Sequence, residues 1–306
     1  MVAVYKCAPC LRPLHQRLRA SLSALTERFE MVFVEDAGAD GSWEVLTELA
    51  RADPSVRAVR LSRNFGQHAA ITAGLAESRG RFTVVMDCDL QDPPEQIARL
   101  HDKAREGYDI VFARRIRRRI PLLRRLLARA YFALLRLATG NPIDEGYGSF
   151  TLLSRPVVEG YLRFKDRHRH HLYLLFWLGF RTAIVEYEVA ERAAGKSAYT
   201  LRALLAHALN GLVSQTTAFL RWIVYVGFTV SLGGLALAVY YLYRYFFYSI
   251  EQPGWTTLAV LLLVLAGMIM TTNGVAGLYI GKVFEQVKER PLFIVAERIG
   301  GGVQGK

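Results

Sequence analysis

The sequence predicts an α/β fold in which a mostly parallel sheet precedes two membrane-spanning helices. Short apolar strands alternate with helix-like stretches through the first half of the 306-residue chain, a pattern typical of βαβ units. Near the carboxyl end, two long apolar runs contain no Asp, Glu, Lys or Arg. Between these regions, leucines recur on one helical face while arginines project from the other. Together these patterns indicate a globular domain with amphipathic helices beside a membrane anchor.

Acidic residues follow two of the predicted strands. In parallel α/β sheets, ligands bind beyond the carboxyl ends of the strands. The clusters Glu35-Asp36 and Asp87-Cys88-Asp89 occupy such positions and are therefore candidate binding residues. The predicted strands are Val2–Tyr5, Met31–Glu35, Val56–Leu61, Phe82–Met86 and Asp109–Ala113, and the predicted helices are Leu14–Phe29, Trp43–Arg51, Gln67–Ser78 and Pro94–Glu106.

Two amphipathic helices are predicted beside the membrane, over residues 119–138 and 200–220. In the first, Leu123, Leu127 and Leu134 share one face, whereas Arg125 and Arg129 lie on the other. Such a helix suits a membrane interface, although a core-facing helix with a solvated basic side has the same pattern. The second helix directly precedes an apolar run, and this position favours a location at the membrane interface for it as well.

Two transmembrane helices are predicted within residues 221–281. The runs Trp222–Tyr243 and Trp255–Ile280 are each long enough to cross a hydrocarbon core of about 30 Å. Aromatic residues at their ends are typical interface anchors, and a buried helix hairpin in a soluble domain is the alternative. Lys and Arg are frequent before the runs and in the tail, residues 282–306. The positive-inside rule then predicts a multi-pass protein of the inner (plasma) membrane with both termini and the globular domain in the cytoplasm.

The net charge indicates which partners the chain favours, and the cysteine content indicates whether disulfides are expected. The chain has 39 basic and 27 acidic residues, a formal net charge of +12 and a pI near 9.8, so anionic partners are favoured. Three cysteines in a cytosol-facing chain do not indicate a disulfide framework. The Cys7-Ala8-Pro9-Cys10 segment imitates a redox motif, but two small residues in a strand-to-helix turn are the preferred interpretation.

The segment VVMDCDLQDPPE, residues 84–95, contains a candidate metal site. Oxygen ligands at a strand end suit Mg²⁺ or Mn²⁺, which completes its coordination with water and substrate phosphates. Alternate residues of an extended segment point the same way, so Asp87, Asp89 and Gln91 are assigned to the metal. Asp92 and Glu95 match a helix start, with Asp92 as the N-cap.

The motifs together resemble a known enzyme family. VEDAGADGSWEVL, RLSRNFGQHAAITAGL, GRFTVVMDCDLQDPPE and EGYDIVFARRIRR follow the order and spacing of the family 2 glycosyltransferases with a GT-A fold. The closest likeness is to the polyprenyl-phosphate glycosyltransferases, a group that includes dolichyl-phosphate mannose synthase, bactoprenol glucosyltransferases and undecaprenyl-phosphate aminoarabinose transferase. It continues through DEGYGSFTLLSRPVV, AERAAGKSAYTLRALL and GLYIGKVFEQVKERPLFIV. The resemblance implies a GT-A, Rossmann-like catalytic domain over residues 1–118 and 139–199.

The resemblance also implies roles for individual residues. Asp36, beside Glu35, would contact the nucleotide base or ribose, and Arg63 would lie near the donor. Asp87 would face the donor, while Asp89 and Gln91 would hold the metal on the diphosphate. Asp144 occupies the place of the candidate catalytic carboxylate, alongside Asp89, and a helix or turn cap is the alternative for Asp144. The residues placed near the donor and acceptor phosphates are Arg115, Arg125, Arg129, Arg167, Arg192, Lys196 and Tyr199.

The implied reaction is the inverting transfer of one sugar from a nucleotide-sugar donor to polyprenyl (undecaprenyl) phosphate. UDP-glucose is the favoured donor, ahead of other UDP-sugars and GDP-mannose, and a homotetramer is implied. A membrane is an expected partner and nucleic acid is not. Departures from the family pattern concern the donor contacts: Lys6 and Cys7 replace an asparagine and an acid, Thr151 stands where relatives often carry arginine, and Ala198 replaces a lysine.

Two other functions compete with this one. A processive polysaccharide synthase would carry a Q-x-x-R-W segment, whereas Gln215 and Arg221-Trp222 are separated by five residues. A non-enzymatic lipid-binding membrane adaptor leaves the strand-end acids unexplained. The DRHRHH segment, residues 166–171, could be mistaken for a metal tract, but its histidines are poorly spaced and a basic phosphate-side loop containing Arg167 is favoured.

Overall fold

A computed structural model describes residues 1–116, 146–167, 169–188, 218–247 and 254–300. The chain divides into two compact units. The first consists of Met1–Arg136, Asn141–Ala198 and Arg290–Lys306, and the second of Leu137–Gly140 and Tyr199–Glu289. Both predicted interfacial helices, apart from the last three residues of the second, lie outside the described residues.

An eight-stranded sheet organises the described part of the first unit, in the order β7-β5-β6-β4-β1-β2-β3-β8. Strand β1 pairs in parallel with β2 and β4, β2 with β3, and β5 with β7. Strand β6 is antiparallel to β4 and β5, and β8 is antiparallel to β3. The strands are β1 Val2–Val4, β2 Met31–Glu35, β3 Val56–Leu61, β4 Phe82–Asp87, β5 Ile110–Ile116, β6 Tyr147–Ser154, β7 Thr182–Glu188 and β8 Val295–Gly300.

Helices cover both faces of this sheet, because successive strand side chains alternate between two apolar cores. Val2 and Val4 enter one core together with residues of α1, α2 and α4, whereas Ala3 enters the other with residues of α3, α5 and α6. These helices are α1 Ala8–Ser23, α2 Ser42–Ala52, α3 Gln67–Glu77, α4 Ile97–Arg105, α5 Arg155–Arg163 and α6 His171–Trp177.

The predicted strands agree with the structure to within three residues at each end, but the first helix does not. The prediction of Leu14–Phe29 is wrong, since α1 spans Ala8–Ser23. The Asp40 carboxylate, from the loop after β2, accepts a hydrogen bond from the Ala8 N–H at 3.0 Å and so stabilises an earlier helix start. This partner is distant in sequence, and local spacing could not reveal it.

The second unit contains two long helices in its described part, α7 Ala218–Phe247 and α8 Trp255–Val287. Their described apolar side chains are largely exposed. Within the described residues, one segment, Val264–Val287 of α8, is long and apolar enough to cross a membrane, and the apolar stretch of α7, Ile223–Leu237, is shorter. The predicted two-helix hairpin therefore stays a prediction.

Three histidines, of which His171 is buried and His68 and His170 are half-buried, lie between α3, β6 and α6. The rings of His68 and His170 are 5.0 Å apart, and the His171 Nε2 lies 3.3 Å from the Thr151 hydroxyl. Burial, together with the neighbouring His68, lowers the pKa of His170 to about 4 and that of His171 to about 3. DRHRHH is thus not simply a basic loop, because His170 and His171 turn into the protein and are held neutral.

The substitution His171→Gln is expected to make the first unit less sensitive to acid. Below pH 6.5 the His171 imidazole of the unfolded chain becomes protonated, whereas in the folded chain it stays neutral down to about pH 3. The free energy of unfolding therefore decreases as the pH falls through this range. His171 thereby lowers the free energy of unfolding of the wild type by about 1.4 kcal/mol for each pH unit below 6.5. Denaturant titrations at pH 7.5 and 5.0 should show the variant losing about 2 kcal/mol less than the wild type. Equal losses of stability in the two proteins would contradict the claim that His171 is neutral in the folded chain. Carboxylates that titrate in the same pH range contribute equally to both proteins, so their effect cancels in the comparison.

Candidate active site

The carboxyl ends of β1, β2 and β4 lie side by side, and the loops that follow them form the candidate active site. Lys6, Ala37, Ala39 and Leu90 in these loops have φ of 51°, 51°, 51° and 61°, and they are four of the five non-glycine residues with positive φ in the described chain. Such conformations cost on the order of 1–3 kcal/mol each and concentrate at functional sites. The strained backbone makes these loops a candidate binding site.

Hydrogen bonds connect these loops to one another. Asp40 accepts from Ala8 and, at 3.2 Å, from the Ser42 N–H, so it joins the starts of α1 and α2. The Cys7 thiol donates to the Cys88 carbonyl at 3.0 Å. All three cysteines, which belong to the described residues, are buried and free. The strand-to-helix interpretation of the Cys7–Cys10 segment agrees with this packing.

Asp36 fixes the loop that precedes α3. Its two carboxylate oxygens accept hydrogen bonds from the backbone N–H groups of Phe65 and Gly66, at 2.7 and 2.8 Å. Burial raises the pKa of Asp36, and these two N–H groups oppose the rise. Arg63 lies over the Phe65 ring, 4.3 Å from its centroid. Asp36 and Arg63, both predicted at the donor site, are therefore joined through one short loop.

Glu35 stabilises the neighbouring loop. Its carboxylate accepts a hydrogen bond from the Gly38 N–H at 2.5 Å and lies 3.5 Å from the Arg60 guanidinium. Burial raises the pKa of Glu35. A β-carbon added to Gly38 would meet the Lys6 backbone nitrogen at 2.8 Å, so the loops after β1 and β2 approach too closely for any other residue.

Asp87 and Asp89 form an acidic pair at the end of β4. Asp87 Oδ1 accepts a hydrogen bond from the Gln67 amide at 2.7 Å, and Asp89 Oδ1 accepts from the Gln91 N–H at 3.1 Å. Burial and the nearby Asp92 and Asp89 carboxylates raise the pKa of Asp87. The Arg115 guanidinium opposes this rise. A bound cation would relieve this repulsion, because it favours the ionised carboxylates.

The acidic pair fits a hard divalent cation, although it does not enclose one. Among the described residues, no group of three His, Cys, Asp or Glu side chains is arranged to hold a metal ion. Two carboxylates nevertheless match Mg²⁺, which binds through one or two carboxylates and takes its other ligands from substrate phosphates and water. The oxygen ligands and their mutual repulsion are thus compatible with a metal shared with a diphosphate.

Asp92 does not cap a helix, contrary to the sequence prediction. The turn Pro94–Gln96 that leads into α4 has Pro93 at its N-cap and no side-chain cap. Asp92 is buried and accepts two hydrogen bonds from Arg115, to Oδ1 at 3.1 Å and to Oδ2 at 2.9 Å, and a further short one from the Tyr187 hydroxyl. Glu95 does not cap either, since both of its oxygens bind Arg17.

Asp92, Arg115 and Tyr187 form a buried polar triad beside the acidic pair. The Arg115 Nε also donates to the Tyr187 hydroxyl at 3.0 Å. Burial lowers the pKa of Arg115, but the Asp92 charge outweighs it and the net shift is upward. Burial and Asp92 raise the pKa of Tyr187. Gly148 leaves room for the guanidinium, because a β-carbon there would lie 3.2 Å from its central carbon.

The structure brings Glu35, Asp36, Arg63, Asp87, Asp89 and Arg115 to one edge of the sheet. Of these, the sequence pattern placed the acids at strand ends, and the site roles of all six stay predictions. Arg167 is half-exposed in the connection between α5 and α6. Sequence reasoning missed Gln67, which starts α3, and Tyr187, which pairs with Arg115 across β5 and β7. No local signal predicts that pairing. The predicted residues Asp144, Arg125, Arg129, Arg192, Lys196 and Tyr199 lie outside the described residues.

Comparison with known proteins identifies the family. The model of glycosyl transferase family 2 matches residues 1–162. The chain is 34% identical over 301 residues to the uncharacterized glycosyltransferase YkcC of Bacillus subtilis, covering 98% of this chain and 93% of that protein. It is 31% identical to the undecaprenyl-phosphate 4-deoxy-4-formamido-L-arabinose transferase of Photorhabdus laumondii, over 98% of this chain and 93% of that one. A prophage bactoprenol glucosyl transferase homolog of Escherichia coli is 34% identical, with 87% of each chain covered.

These matches and the sheet agree with the predicted fold class and activity. The mostly parallel sheet carries its strand-end acids inside the matched region. Two of the relatives are named for transfer to undecaprenyl phosphate or bactoprenol, and they align along most of the chain. The protein belongs to glycosyl transferase family 2 and is a GT-A glycosyltransferase.

Proposed function

We propose that the enzyme transfers a single sugar from a nucleotide-sugar donor to polyprenyl phosphate, with inversion at the sugar C1, at the cytoplasmic face of the membrane. The observation that carries the proposal is the Asp87–Asp89 pair at the sheet edge of a chain that aligns over 98% of its length with an undecaprenyl-phosphate sugar transferase. UDP-glucose is the favoured donor, and Mg²⁺ or Mn²⁺ is the expected metal.

The donor would lie across the loops after β1, β2 and β4. Asp36 holds the loop of residues 63–66 in place, so that Arg63 is available to the donor while Gln67 fixes the orientation of the Asp87 carboxylate. Asp89 and Gln91 would hold the metal together with Asp87. When bound, the divalent ion would offset the negative charge that develops on the departing nucleoside diphosphate.

The acceptor requires positioning more than deprotonation. A polyprenyl phosphate is already anionic near neutral pH, so one of its oxygens can attack the sugar C1 directly. The bond from C1 to the donor diphosphate breaks, and the nucleoside diphosphate leaves with the electron pair. Arg115, kept in place by Asp92 and Tyr187, supplies positive charge close to Asp87. Catalysis would then come mainly from proximity and electrostatic stabilisation, with Asp144 orienting the acceptor.

Membrane attachment follows from the same proposal. The segment Val264–Val287 has the length and apolarity of a span, and a lipid-linked acceptor requires the enzyme to work at the bilayer surface. The second predicted span, the cytoplasmic orientation of both termini and the homotetramer stay predictions. A processive polysaccharide synthase is the competing function, and the length of the product separates the two.

A panel of donors tests the proposal. Membranes containing the protein are incubated with undecaprenyl phosphate, Mg²⁺ or Mn²⁺, and one labelled donor at a time: UDP-glucose, other UDP-hexoses, a UDP-linked aminoarabinose derivative or GDP-mannose. We expect one donor to yield a lipid-linked monosaccharide. A growing polymer would favour the processive synthase, and failure of every donor would refute the proposal. Membranes without the protein provide the background.

A further inference from the structure

An aromatic and basic surface is formed by residues at the end of α5, in the segment directly after it and at the end of α6. We call Arg163, Phe164, Lys165 and Trp177 the Trp177 surface. Trp177 is 75% exposed, which makes it the most exposed large apolar side chain among the described residues of the first unit. The Phe164 and Trp177 rings meet edge to face with centroids 5.2 Å apart, so the indole is held in place while it faces outward. A tryptophan with an exposed ring beside a second aromatic residue and flanking cations is a candidate contact surface.

The charge around Trp177 narrows the choice of partner. From Tyr161 to Arg181 the chain has five Arg or Lys residues and one acid, Asp166, and of the five only Arg169 is buried, which leaves a surface balance of +3 with neutral histidines. Arg163 and Lys165, which flank Phe164, are both exposed. At this surface a second copy of this chain, whose net charge is +12, offers no complementary charge. An anionic surface is the complementary partner.

The chemistry of the aromatic residue favours a lipid surface over an acidic protein. Tryptophan joins an apolar ring to a polar N–H and concentrates where hydrocarbon meets water. Lysine and arginine place their aliphatic stems along such a surface while their charges reach the lipid phosphates. The proposed function requires an acceptor embedded in a bilayer, so under that proposal the first unit would work beside a membrane.

We propose that the Trp177 surface rests in the headgroup layer of an anionic membrane and holds the first unit against the bilayer. This inference uses the proposed function only for the location of the acceptor. It adds a contact that belongs to the first unit itself, distinct from the apolar helices of the second. A tryptophan with two flanking cations would supply both the apolar and the electrostatic attraction that stable surface binding needs.

Fluorescence quenching tests the contact directly. The full chain is reconstituted in vesicles of phosphatidylcholine, with or without phosphatidylglycerol, whose acyl chains are brominated near the headgroup. A variant with Trp43, Trp222 and Trp255 changed to Phe leaves Trp177 as the single tryptophan. If that variant does not fold, the difference between wild type and Trp177→Phe gives the same signal. The matched control is the difference between wild type and Trp43→Phe, because Trp43 is buried in the first unit.

We expect brominated anionic vesicles to quench the Trp177 emission by at least half and to leave the Trp43 signal unchanged. Neutral vesicles should quench Trp177 less. Quenching of Trp177 by aqueous acrylamide alone would overturn the proposal. Protection from both quenchers that increases with protein density would also overturn it, because it would indicate a protein partner.

An activity comparison separates this inference from the proposed function. The double variant Arg163→Glu/Lys165→Glu and the variant Trp177→Ser should transfer sugar to a vesicle-embedded acceptor about fivefold more slowly. Both should match the wild type with a short-chain polyprenyl phosphate in detergent. Equal rates in vesicles would overturn the surface contact. Absence of transfer by the wild type in both formats would instead refute the proposed function, while the quenching result would stand.

Discussion

Replacing Asp89 by Asn is expected to lower kcat for sugar transfer by at least about 100-fold, the largest effect of any substitution proposed for this enzyme. The amide is isosteric with the carboxylate and preserves an oxygen that can accept the Gln91 N–H. It removes a negative charge from the pair that would hold the metal on the diphosphate. Because the stability of the fold should change little, the loss reports on charge at the reacting centre.

Metal titration makes this prediction specific. The variant should need a higher Mn²⁺ concentration for half-maximal donor binding, whereas Asp102→Asn, on the exposed face of α4, should match the wild type. Donor binding is measured by equilibrium titration, and kcat is measured at saturating donor. A kcat for the Asp89 variant within threefold of the wild type would show that Asp89 is not part of the catalytic machinery.

Asp92→Ala is expected to destabilise the first unit by about 3–5 kcal/mol. The change leaves Arg115, whose side chain is 17% exposed, without the carboxylate that binds two of its nitrogens. Arginine keeps its charge in proteins, so without Asp92 the guanidinium must be accommodated as an unpaired cation in a largely buried place. Tyr187→Phe, which removes one hydroxyl from the triad, should cost about 1–2 kcal/mol.

A double variant without either charge distinguishes an unpaired charge from a packing defect. Replacing both Asp92 and Arg115 with apolar residues, Asp92→Leu and Arg115→Met, should recover more than half of the stability that Asp92→Ala loses. Free energies of unfolding are measured by denaturant titration in detergent at pH 7.5. The triad does not stabilise the fold as described if the free energy of unfolding of Asp92→Ala equals that of the wild type. The same conclusion follows if the double variant is less stable than Asp92→Ala.

Local patterns predicted the parts of the site that depend on local structure. Strands β2 and β3 match the prediction at both ends, and the strand-end acids Asp36 and Asp87 lie at one sheet edge as expected. Parallel pairing follows from the alternation of strands and helices, so the positions of these residues could be inferred without coordinates.

Tertiary contacts decided what the sequence could not reveal. Asp92 precedes two prolines and a glutamate, which is a helix-start pattern, but its carboxylate instead binds Arg115 and Tyr187 from two paired strands. The pairing of β5 with β7 joins residues 72 positions apart, and no local signal specifies it. For the same reason His171, in a segment read as a basic loop, lies against Thr151 on β6.

The most direct test of the central claim measures product formation by the purified wild-type enzyme and the Asp89→Asn variant side by side. Each is reconstituted with undecaprenyl phosphate, Mn²⁺ and the labelled donor that the panel selects. We predict one sugar per lipid phosphate from the wild type and at least about 100-fold slower formation of the same product by the variant. Polymer formation, transfer without the lipid phosphate, or equal rates for the two proteins would contradict the account.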